Sequence, residues 1–130
     1  METHRRWRAL RDSLGLLDGV KHKHPQWLGL EVGSIPLVVA RAGDCVQVIA
    51  AIGRCQGELS AVLAGVRHLQ VGGVVEQNGF LLLREVRPIA ETRPAALMRT
   101  MARLASAAAA ARSLAGAADQ VDELFLTFAD

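Results

Sequence analysis

The order of apolar segments constrains this chain more than any other feature. Trp7, Leu10, Leu14 and Leu17 form a stripe at helical spacing, and three short apolar runs follow at Trp27–Val32, Ile35–Ala40 and Val46–Ile52. Helical spacing returns at Leu59, Val62, Leu63 and Val66, and two more runs, Val71–Val75 and Phe80–Val86, flank Asn78-Gly79. Pro94–Arg112 then reads as a long alanine-rich helix. A helix must bury its stripe and a sheet its apolar face, and they do so against each other. The order therefore predicts an α+β fold, α-β-β-β-α-β-β-α, with helices packed on one twisted, mainly antiparallel sheet.

At 130 residues the chain supports one core. Residues 1–118 are read as a single domain and residues 119–130 as an acidic-apolar tail. The tail holds Asp119, Asp122, Glu123 and Asp130 without a base, while Leu124, Leu126 and Phe128 alternate as in a strand or a short amphipathic helix. It is expected to occupy a groove or strand edge where a partner would otherwise lie. Deleting residues 119–130 should leave folding intact and raise affinity for an extended apolar peptide; unfolding on deletion would make the tail core.

Local signals place the boundaries. The first helix is expected from about residue 3 to Leu17, ended by Asp18-Gly19, with Val20–Gln26 as a polar, basic loop. Leu28, Leu30 and Val32 face one way in the next strand, and Gly33-Ser34 and Ala42-Gly43-Asp44 make turns. Ile35–Ala40 is apolar on both faces, which calls for cover on both sides. Pro36 has no N–H, so the start of that strand is expected at an edge or bulge. Gly72-Gly73 marks a bulge or close backbone contact, and Asn78-Gly79 a type I′ hairpin turn. Thr92 with Pro94 opens the last helix, where Ala107–Ala111 makes a close-packing face.

Little in the chain points to catalysis. Cys55-Gln56-Gly57 is the nearest thing to a nucleophile elbow, which would make a small hydrolase, but no base is singled out for it. Neither a GxGxxG nor a Walker loop is present, and Glu76 and Glu85 read as surface residues flanking a hairpin. His22-Lys23-His24, with His4, reads as a solvated basic loop and not as a metal site. His68 reads as a helix-end residue. No enzyme, cofactor or metal is expected. Cys45 and Cys55 lie at either end of one strand, too far apart to bridge, and read as reduced thiols of a cytoplasmic protein. The charged, amphipathic start is unlike a signal peptide, and no apolar stretch approaches the about 20 residues of a membrane span.

Net charge is +2, unevenly placed: residues 1–25 hold six Lys/Arg against three acids, and the rest sums to −1. Arg5, Arg6, Arg8 and Arg11 are then left opposite the Trp7–Leu14 stripe, as a solvated helix face. Nucleic-acid binding through that face is the competing reading, disfavoured because the body carries no matching patch. Aromatics are only 4%, which weakens any reading that needs base-stacking platforms.

Several strings resemble the Tir-chaperone (CesT-type) family, the class I effector chaperones of bacterial type III secretion. They are Ser13-Leu14-Gly15-Leu16-Leu17 at the end of the first helix, Leu28 to Leu37 around Gly33-Ser34, Ile52-Gly53 before the middle helix, and Leu83-Arg84-Glu85-Val86-Arg87-Pro88-Ile89 leading to Ala96-Leu97-Met98. The resemblance spans roughly residues 5 to 112. It implies a homodimer that holds the N-terminal region of a secreted effector extended and secretion-competent, without ATP. Such binding needs an exposed strand edge and apolar grooves, here expected at Ile35, Leu37 and Val39 with Leu10 and Leu14. The dimer contact is expected at Leu59, Val62, Leu63 and Val66 with Val74 of the Gly72-Gly73 strand. Gly65 would permit close approach of that middle helix. Unlike the commonly acidic family, this chain has a pI of about 8.9. The alternative is a small nucleic-acid-binding or YbjN-like regulatory protein using the basic first helix.

Overall fold

A computed structural model of the chain describes residues 2–54, 73–77 and 80–115. Helix α1 (Glu2–Leu14) leads into β1 (Val20–Lys23), β2 (Trp27–Val32), β3 (Ile35–Ala42) and β4 (Cys45–Arg54). The hairpin β5 (Gly73–Gln77) and β6 (Phe80–Pro88) follows, then a 3-10 turn (Ile89–Glu91) and helix α2 (Pro94–Ala115). All strand pairs are antiparallel, in the order β1-β2-β3-β4-β6-β5. The α+β architecture around one antiparallel sheet is as the sequence predicts. The middle helix expected over 59–69 lies outside the described residues, as do Cys55, Gly65, His68, Gly72, Asn78-Gly79 and the tail.

The turns follow from residue type. Val32 pairs with Ile35 across Gly33-Ser34, and Ala42 with Cys45 across Gly43-Asp44. Gly33 and Gly43 sit at φ of 64° and 61°, which a side chain disfavours. Gln77 pairs with Phe80, the register a two-residue hairpin loop gives.

Alternation sorts the strands into two buried faces. Leu28, Leu30, Leu37, Val39, Val48, Ala50, Ile52, Leu81 and Leu83 meet Trp7, Leu10 and Leu14 of α1 and Leu97, Met101 and Leu104 of α2 in the main core. Each large apolar side chain buried there contributes about 1.5–3 kcal/mol. Trp27, Val38, Ala40, Ile49, Ala51 and Leu82 form a second buried cluster from the opposite parity. Burial of Ile35–Ala40 on both faces is what its uninterrupted apolar run implied. Helix α2 lies chiefly on β4, brought close by Ala108 and Ala111, both fully buried.

Four local expectations are corrected. Helix α1 ends at Leu14, three residues early; Gly15 N–H still donates to Arg11 O at 2.8 Å, and 3-10-type bonds carry the chain on to Leu17. Gly19 is therefore not the helix cap. An added Cβ there would sit 2.2 Å from Glu31 O, because Gly19 is where the chain crosses β2, its carbonyl accepting from Glu31 N–H at 2.9 Å. Val20–Lys23 is a strand and not a loop, paired with β2 from Val20↔Leu30 to Lys23↔Leu28. Glu85 is half-buried and ion-paired to Arg87 at 3.1 Å and to Arg103 of α2 at 2.5 Å, so it ties β6 to α2. Among the described residues Gly73 meets nothing within 4 Å of an added Cβ.

Candidate functional site

Ile35, Leu37, Val39, Leu10 and Leu14 are all core residues, none more than 3% exposed. β3 is also an inner strand, paired to β2 on one side and β4 on the other. The expectation that these residues form a partner-facing surface is corrected accordingly: an apolar run buried on both faces marks an interior strand as readily as a groove. Pro36 pairs with Glu31 on β2, but the ladder to β4 begins only at Leu37, so the missing N–H falls at an incomplete end. Of the expected dimer residues, Val74 of β5 pairs with Leu83 of β6; Leu59, Val62, Leu63 and Val66 lie outside the described residues.

β1 is one of the two end strands of the sheet, β5 being the other. It is the last strand on its side of the sheet, and among the described residues no strand covers its outer edge. Lys21, His22 and Lys23 are exposed there, and neither lysine has an ion-pair or hydrogen-bond partner among the described residues. Sequence reading missed this strand because Val-Lys-His-Lys contains one apolar residue, while only Val20 packs on the core. The signal that was present is the charge itself, since lysine is a common guard of strand edges.

The turn joining β1 to β2 is fixed to α1. The indole N–H of Trp7 donates to the carbonyl of Pro25 at 2.9 Å, and Arg11 Nη1 donates to the same oxygen at 3.1 Å. The next carbonyl, Gln26, accepts from the Arg41 N–H at 2.9 Å, and His24 N–H donates to Trp27 O at 2.9 Å. On the opposite face of the sheet the His24 ring stacks on the Trp27 indole, centroids 4.2 Å apart and planes 12° off parallel, with His22 at 5.9 Å from the same indole. The expected solvated histidine loop is thus a strand with its rings on an aromatic. Among the described residues no group of His, Cys, Asp and Glu is placed to hold a metal ion.

Between the end of α1 and this turn lies an open cavity of about 360 Å³, lined by Arg11, Asp12, Gly15, Leu16, Lys23, His24, Pro25 and Leu28. Leu16 is 85% exposed, a large apolar side chain with no core to enter. The Lys23 Cε lies along Gly15, 3.7 Å from where a Cβ would be. An unpaired strand edge beside a basic, partly apolar cavity can take main-chain hydrogen bonds and alternate side chains from an extended segment. The second basic surface is the outer face of α1, where His4, Arg5, Arg8, Ala9 and Asp12 line an open depression of about 420 Å³. As the sequence implied, Arg5 and Arg8 are exposed there opposite the buried Trp7–Leu14 stripe.

Among the described residues no helix is long and apolar enough to cross a membrane. The sequence matches no protein-family model and no curated protein. In three dimensions the chain is similar to a chain of the HopA1–SchA chaperone–effector complex, with a TM-score of 0.67 at 16% identity, over 87% of this chain and 98% of that one. It is also similar to a chain of the heterodimeric ExoU–SpcU complex from the type III secretion system of Pseudomonas aeruginosa, with a TM-score of 0.62 at 18% identity, over 82% and 95%. The chain thus has a fold found in a chaperone–effector complex and in a complex of a type III secretion system, matched along nearly the whole length of each neighbour.

Proposed function

We propose that this protein is a class I-type chaperone of type III secretion, which binds the N-terminal region of a cognate effector and keeps it extended and secretion-competent without ATP. The observation that carries the reading is the whole-length likeness to a chain of a chaperone–effector complex, 98% of which is covered. The open β1 edge beside the cavity at the end of α1 supports it, because it supplies what capture of an extended segment requires. The protein acts as a non-catalytic, cytoplasmic homodimer, and the middle apolar stripe at 59–66 is the surface assigned to self-association.

Co-expression with the N-terminal region of a secreted protein encoded beside this gene tests the reading. Light scattering should give about twice the 13.9 kDa chain mass for the free protein, and that mass plus effector for the complex. Amide exchange should show protection gained at residues 20–23 on binding, and little change at 37–40, which are already paired on both sides. Protection confined to residues 3–11, with steeply salt-dependent binding to duplex DNA, would replace this reading with the nucleic-acid one.

A further inference from the structure

The cavity at the end of α1 has a composition that selects among extended partners. Arg11 and Lys23 are cations in its lining, and among the described residues Asp12 is the only acid there. Arg11 is already engaged, with Nη1 on Pro25 O and Nη2 at 3.4 Å from Asp12. Lys23 is exposed and has no such partner among the described residues, which leaves its charge facing the cavity. Leu16 and Pro25 supply an exposed apolar wall next to it.

Lys23 pairs with Leu28 on β2 and so points to the sheet face that carries α1, the face on which the cavity opens. A strand added beside β1 would run about 4.8 Å away and place every second side chain on that face, about 6.7 Å apart along the strand. A side chain directly opposite Lys23 would be within reach of its ammonium, and the next on the same face would reach the apolar wall. Charge complementarity fixes the first as a carboxylate, and the exposed Leu16 fixes the second as apolar.

We propose that the β1 edge takes an extended partner segment carrying an acidic and an apolar residue two positions apart, the acid paired with Lys23 and the apolar side chain seated against Leu16 and Pro25. This rests on the binding role proposed above and assigns its partner a composition. The basic balance of the first 25 residues then becomes a means of recognition.

Fluorescence anisotropy with labelled peptides decides it, using the full chain. One probe is a twelve-residue peptide in which Asp and Leu share a face at a spacing of two; the other replaces each Asp by Asn. The acidic probe should bind about fivefold tighter at low salt, the scale of one partly exposed ion pair. Lys23→Gln should abolish that preference and Lys23→Glu reverse it, while both variants keep the wild-type melting temperature because Lys23 is exposed. Equal binding of the two probes to the wild-type chain, or a preference unchanged in Lys23→Gln, overturns the proposed pairing. If both probes bind equally with protection gained at residues 20–23, the edge-binding role survives and only the acidic preference is lost. Failure of both probes to bind overturns the inference, and the effector co-expression experiment then judges the chaperone role separately.

Discussion

Trp7→Ala is expected to lower folding stability by about 3–5 kcal/mol, read as a large drop in the urea midpoint. Trp7 is wholly buried in the main core, where α1 meets the sheet, and its indole N–H donates to Pro25 O at 2.9 Å. Truncation leaves a cavity and removes one of the two bonds that hold the β1–β2 turn. Trp7→Phe separates these effects. It keeps much of the ring volume and loses the N–H, and the Pro25 carbonyl still accepts from Arg11. A loss of about 1 kcal/mol is expected for the bond, with a further cost for the smaller ring. Because the turn borders the cavity, Trp7→Phe should also weaken binding of the acidic probe while the protein stays folded. A Trp7→Ala loss under about 1 kcal/mol would mean that α1 does not anchor the sheet as described, given the usual cost of emptying such a site.

Gly19→Ala is expected to cost about 2–3 kcal/mol, equivalent to roughly 10 °C in melting temperature for a domain of this size. The added Cβ would lie 2.2 Å from Glu31 O, a backbone atom that cannot rotate away. Relief requires the Gly19 carbonyl to leave the Glu31 N–H, which loosens β1 at its origin. Gly33→Ala is the informative contrast. It has open space around it and a φ of 64°, so its cost is conformational strain of about 1–2 kcal/mol without loss of a strand contact. Calorimetry that ranked Gly33→Ala above Gly19→Ala would contradict the crossing at β2 as the reason for glycine at 19.

Periodicity and turn chemistry determined most of this fold. Leu28 and Leu30 lie on one face and Trp27 on the other because side chains alternate along a strand whatever it packs against. Gly33-Ser34 and Gly43-Asp44 are turns because the chain there needs a positive φ. The alanines of α2 pack close because they have little side chain to keep helix and sheet apart. Each of these features is set by residues within a few positions of one another, so the linear sequence contains the cause.

The candidate site was settled by relations across the chain. Val20–Lys23 is a strand because Leu28–Leu30 offers it a partner, and an edge strand with one solvated side carries few apolar residues to announce it. Gly19 is required by Glu31, twelve positions away, and Pro25 is held by Trp7, eighteen positions away. The same limit misplaced Ile35, Leu37 and Val39: a doubly apolar run states that both faces are covered, while the neighbours that cover its edges are chosen by strand order. The sequence alone determined which residues are buried and where the chain turns, since both depend on local pattern. Only the tertiary structure decided which strand ends the sheet and which cations gather beside it, since an edge is defined by the neighbour it lacks.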